Sequence, residues 1–129
     1  MKGDGRMNKL EETALVTEWL CDKCGEMIIK PEDGWLEWFR PVDGGLTDEQ
    51  GYTIRHHDCR QDDNRMFKQG KILSHVHLHH ANSNSDLENF LQRLDDGLCK
   101  DKSELIEIIK RLHIVGYEAE RIKEFKVGY

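Results

Sequence analysis

Four cysteines and seven histidines carry most of the chemistry open to this chain, and their spacing is uneven. Cys21-Asp22-Lys23-Cys24-Gly25 has two residues between its thiols, which lets both thiolates reach one tetrahedral ion while Gly25 turns the chain beneath the sulfurs. That is half of a zinc site. The other half should be a second short-spaced pair across a hairpin, and Arg55-His56-His57-Asp58-Cys59 supplies it. The usual pair spacing favours His56 with Cys59. Strand alternation from Ile54 instead puts His57 on the same side as Cys59, so both histidines are candidates and one is expected to ligate. The other could donate to a carboxylate such as Asp58 or face solvent. Three thiolates and an imidazole leave no open coordination position, the pattern of one structural zinc rather than a hydrolytic one. Two buried free cysteines beside unrelated histidines is the plainer alternative, and the paired spacing argues against it.

A second cluster follows at His75, His77, His79 and His80. On a strand the first three share a face and could bind a transition metal, whereas simple alternation with Ile72, Val76 and Leu78 makes them a polar sheet face, the reading preferred here. Cys99, after a helix-ending glycine, reads as a small buried residue rather than a nucleophile. Lys110, Arg111, Arg121 and Lys123 could form a basic patch, but Glu104, Glu107, Glu118, Glu120 and Glu124 dilute it into a solvated face. Trp19, Trp35 and Trp38 are expected in the core before they are expected to stack on any ligand.

The elements that must position these residues can be read from periodicity. Thr13 to Leu20 reads as a strand leading into Cys21, with a short helix from Leu10 as the alternative. Pro31 to Gly34 is a turn, GWLEWFRP alternates as a strand, the Gly/Asp-rich VDGGLTDEQG is a loop and YTIRHH is the returning strand of an antiparallel hairpin. RQDDNR reads as loop and KILSHVHLHH as a third strand. The pattern then becomes helical. Ser85 with Glu88 makes a capping box before Leu87, Phe90, Leu91 and Leu94, and Gly97 ends that helix. Asp101 with Glu104 caps a second, striped by Leu105, Ile108, Ile109 and Leu112; Gly116 separates it from a last one carrying Ala119, Ile122 and Phe125. The expected fold class is α+β: a small zinc-ribbon-like antiparallel β-hairpin module followed by a pair or trio of helices. Residues 1–9 are expected to be a flexible tail, 10–80 the zinc module and 81–129 a helical extension packed on it, all one domain.

Composition narrows the partners. At 129 residues the core is small enough to need a staple, which a zinc worth on the order of 10 kcal/mol of apparent binding energy would supply. With 19 basic and 25 acidic residues the net charge is −6, so nucleic acid and anionic membranes are disfavoured and a protein partner is expected. No apolar run approaches the roughly 18 residues of a membrane span, and no secretion signal is visible. A cytoplasmic location with reduced thiols follows as the expectation, and it disfavours disulfides. Oligomeric state is not legible.

Taken in order, CDKCGEMI, EDGWLEW, IRHHDC and IKRLHIVGYE resemble a family of uncharacterised bacterial proteins with a CxxCG knuckle, a GWxEW strand, an HH motif with a later cysteine and a closing IKRLHIxGYE segment. The likeness spans about residues 19 to 125. It implies a small cytoplasmic bacterial protein and implies no activity. Two departures stand out: His57 and Cys59 are nearly adjacent where the family carries a longer insertion, and the four-histidine stretch is not part of the family's pattern. The function expected from the chain as a whole is a non-enzymatic, zinc-stabilised protein-interaction module. The alternatives are a His-Asn-His-like metal-dependent nuclease, using His56 and His57 with Asn64 or Asn82, or a nucleic-acid-binding protein, and the acidic charge counts against both.

Overall fold

A computed structural model describes residues 15–43 and 48–127, with side chains through 124. The tail expected over residues 1–9 lies outside the described residues. A short antiparallel pair, β1 (Trp19–Leu20) and β2 (Met27–Ile28), frames the first cysteine pair, with Trp19 opposite Ile28. Of the strand expected from Thr13 to Leu20, residues 13 and 14 lie outside the described residues, and among the described ones only Trp19–Leu20 is strand. After a single 3-10 turn at Pro31–Asp33 come β3 (Gly34–Pro41) and β4 (Gln50–His56), antiparallel as the hairpin reading requires. β5 (Lys71–His77) pairs antiparallel along the other edge of β3, giving the order β4-β3-β5.

The pleat sorts β3 into two faces. Leu36 and Trp38 are buried on one side, joined by Tyr52 and Ile54 of β4, and Trp38 stacks on Tyr52 with ring centroids 5.6 Å apart. Trp35 and Glu37 take the other side. Trp35 is only half-buried there, so one of the three tryptophans expected in the core stands outside it.

Five α-helices follow or interrupt the strands among the described residues: α1 (Asp63–Lys68), α2 (Leu78–Ala81), α3 (Asn84–Asp95), α4 (Lys102–His113) and α5 (Tyr117–Val127). α3 and α4 close the core with Phe90, Leu105, Ile108 and Leu112. Asp101 caps α4 as expected, its carboxylate accepting from the Ser103 amide at 3.0 Å. Three expectations are corrected. RQDDNR is half helix, because Asp62 accepts from the amides of Asn64 and Arg65 and so starts α1. Ser83, not Ser85, caps α3, its hydroxyl accepting from the Asp86 amide at 3.2 Å. The third strand stops at His77, because the chain turns there into α2 and drives Leu78 and Ala81 into the core.

Gly34 fixes how closely the layers meet. A Cβ at this position would lie 2.6 Å from the Arg55 carbonyl oxygen and 3.1 Å from both Ile28 and Leu78 side chains, so only glycine lets β3 begin against β4 and the β1–β2 pair. No described helix is long and apolar enough to cross a membrane.

Candidate metal centre

The two turns that hold the cysteines come from different hydrogen-bond devices. In the first, the Cys21 amide donates to Glu26 at 2.9 Å and the Gly25 amide donates back to Cys21 at 3.0 Å, with Gly25 at φ +77°, a left-handed conformation that a side chain rarely adopts. In the second, β4 runs into a 3-10 turn at His57–Cys59. Asp22 joins the two turns. Its amide donates to the Ile54 carbonyl at 2.8 Å and its carboxylate accepts from the Ile54 amide at 2.8 Å, so the loop between Cys21 and Cys24 is laid along β4.

This brings Cys21, Cys24, His56 and Cys59 together, with one ligand atom of each lying within 4.8 Å of all the others. His56 Nδ1 is 3.5 Å from the Cys24 sulfur and 4.0 Å from the Cys59 sulfur. A tetrahedron with bonds near 2.3 Å to sulfur and 2.0 Å to nitrogen has edges of roughly 3.5 to 3.8 Å, so the Cys3His group is positioned to bind a metal ion. On its far side His56 Nε2 sits 3.3 Å from the Met27 carbonyl, which takes the ring proton there and leaves Nδ1 as the ligand atom. Of the two candidate histidines, His56 joins the cluster and His57 does not.

The electrostatics suit a dication. Burial pushes the Cys21 thiol up, but amides of Cys24, His56 and Lys23 donating to its sulfur outweigh that and bring it down to about 6. Burial and the neighbouring sulfurs of Cys21 and Cys24 push Cys59 up to about 11. One sulfur is thus ready as thiolate while the next resists ionising beside it, a conflict that a positive ion removes.

Two buried ionic supports hold the turns. Arg111, expected at a solvated surface, is 3% exposed. It donates to both oxygens of Glu118 at 2.8 Å, to Asp22 at 2.8 Å and to the Leu20 carbonyl at 3.1 Å. Glu118 in turn accepts from the Leu20 amide at 2.9 Å, and the Trp19 indole donates to the Arg111 carbonyl at 3.1 Å. Burial works against charge on Arg111, and the Glu118 and Asp22 carboxylates more than offset it, so its pKa lies above the usual value. The second support is Glu37, fully buried on β3. It accepts from the Trp35 indole at 3.0 Å and from the Gln61 side chain at 3.0 Å, and faces Arg55 at 3.4 Å. Arg55 donates onward to the Cys59 carbonyl at 3.1 Å, which ties the second turn to the sheet.

Composition and periodicity missed these supports because a charged residue on a helix reads as solvated until its partners are known. The signal that was available is the closing IKRLHIVGYE segment itself, which contains both Arg111 and Glu118. Elsewhere, Asn82 is buried and donates to the Val16 carbonyl at 2.8 Å, which commits it to structure rather than to orienting a nuclease site. Cys99 is buried beside Glu49, and burial followed by that carboxylate pushes its thiol up, away from nucleophilic reactivity.

His57 turns to the outer face of the sheet. It meets His77 rather than Asp58, its Nε2 lying 3.3 Å from His77 Nδ1. Trp35 packs edge-on to His57 at 5.2 Å and over His75 at 4.0 Å between ring centroids. Burial, then the neighbouring imidazoles His57, His75, His79 and His80, lower the pKa of His77.

Fold and centre together define an α+β chain with a Cys3His group placed for a metal ion. Compared with family models, with curated proteins and with solved structures, the chain matches none.

Proposed function

We propose that the Cys3His centre holds a single structural zinc, and that the chain is a non-enzymatic module whose folded surface is read by a protein partner. The observation that carries this is the donor set: Cys21, Cys24, His56 and Cys59 supply four ligand atoms, enough to close a tetrahedral ion. The second sphere supports the same reading. His56 is oriented by Met27, and the cysteine turns are fastened by Arg111 and Arg55 into the core, so the centre is built for rigidity. Zinc suits three thiolates and an imidazole better than a harder cation does. For the partner, Leu15, Met27 and Val115 are exposed around an apolar recess that Ala119 and Ile122 also line, with Glu18 and Lys123 among its polar residues. The likeness to the CxxCG and IKRLHIxGYE family is consistent with this and adds no activity.

Cobalt substitution tests the closed site. With cobalt(II) in place of zinc, the thiolate-to-metal absorption should appear at one equivalent per chain and stay unchanged when azide is added. His56→Ala should weaken that first equivalent at least tenfold, whereas His57→Ala should leave it intact. A spectrum that shifts with azide would mean an open coordination position and would return catalysis to consideration.

A further inference from the structure

The outer face of the three-stranded sheet gathers His57, His75 and His77 around Trp35, with His79 of α2 stacked on His77, and none of them serves the Cys3His centre. We propose that His57 and His77 chelate a second borderline transition-metal dication, a zinc- or nickel-class ion, in an open site.

The pairing has the right geometry. His57 Nε2 and His77 Nδ1 are 3.3 Å apart. Two imidazole nitrogens bound at about 2.0 to 2.1 Å to one ion at the tetrahedral angle are separated by about 3.3 Å. The two rings come from different elements, the 3-10 turn at His57–Cys59 and the end of β5, and each is fixed independently. His77 lies in register opposite Trp35 on β3. His57 opens a turn that Glu37 secures through Gln61 and Arg55. Further imidazoles stand beside the pair: His75 and His79 have ring centroids 5.7 Å and 5.6 Å from His77. Burial and these neighbours favour neutral His77, the form that ligates.

With two protein ligands in place, the remaining positions would be filled by water or by a donor from outside. His57 also borders a polar recess lined by Asp58, Arg60, Gln61, Asp62 and Asp63. This differs in kind from the closed Cys3His centre: all-nitrogen rather than thiolate-rich, exchangeable rather than sealed, and independent of it in ligand set.

Trp35 supplies the readout, because a paramagnetic ion this close to its ring quenches its emission, while Trp19 and Trp38 are buried in the core. Untagged protein carrying its first zinc is titrated with nickel(II), with retained zinc and bound nickel counted in the same samples. The expected result is one nickel per chain with a midpoint in the micromolar range and saturable quenching. His77→Ala and His57→Ala should each raise that midpoint at least tenfold, His80→Ala should not, and Trp35→Phe should bind nickel without the quench. His77 lies on β5, away from the first centre, so His77→Ala decides the matter if His57→Ala also loosens the first zinc. Absence of saturable binding, or binding that survives His77→Ala, would overturn the proposal. Loss of the first zinc alone would count against the structural-zinc reading and not against this one.

Discussion

His56 and His57 are neighbours in sequence and serve opposite sides of the molecule. β4 ends at His56, and the 3-10 turn that follows swings His57 to the outer face. Strand alternation applied through residue 59 gave His57 the same side as Cys59, and it failed because the strand stops three residues too soon. His113 shows another residue-level effect. Its Nε2 is buried without a partner, and burial lowers its pKa despite the bond to the Ala81 carbonyl. The folded protein therefore keeps His113 neutral at a pH where the unfolded chain, at its ordinary value of about 6.5, takes up a proton. The stability contributed by neutral His113 is complete above that value and is lost as pH falls toward the depressed folded value. His113→Gln should consequently melt with a shallower acid dependence than the parent between about pH 7 and pH 5. Parallel curves would show that His113 does not titrate in this way.

At the scale of elements, the Cys21/Cys24 pair, Cys59 with one of two adjacent histidines, the β3–β4 hairpin and the stripe of α4 were legible, because metal-ligand spacing and hydrophobic period are local signals. The supports beneath them were not. Arg111, Asp22 and Glu118 are scattered along the chain, and only the fold shows that α4 and α5 hold the first cysteine turn. α1 was missed for a related reason: it buries only Met66, so it has almost no apolar stripe to read. The support makes a sharp prediction. Arg111→Ala strips the Asp22 and Glu118 carboxylates of their closest cation, leaving them the Ile54 and Leu20 amides and the more distant Arg121, and should cost about 3 to 5 kcal/mol in urea unfolding. Arg111→Lys should recover less than half, since an ammonium cannot serve Glu118 in a bidentate way while also reaching Asp22 and Leu20. Full recovery by lysine would mean that charge alone, not the guanidinium fork, matters here.

For the whole molecule, a metal worth on the order of 10 kcal/mol is set against a total stability of about 5 to 15 kcal/mol for a domain of this kind. Stripping the protein with a strong chelator under reducing conditions should therefore remove cooperative melting, followed by circular dichroism and tryptophan emission, and one equivalent of zinc should restore it. A chelated chain that melts like the parent would mean that the core of Trp19, Leu36, Ile54, Leu105 and Leu112 suffices alone. The clamp at Arg111 also bears on the order in which the protein can be made. Cys21 to Cys59 leave the ribosome well before Arg111 and Glu118, which pair with Asp22 and Leu20 across 89 and 98 residues. A nascent chain could gather its four ligands and catch an ion early, but it cannot lock the first turn until Arg111 and Glu118 have been synthesised. Until then, an ion held there would stay open to exchange with its surroundings.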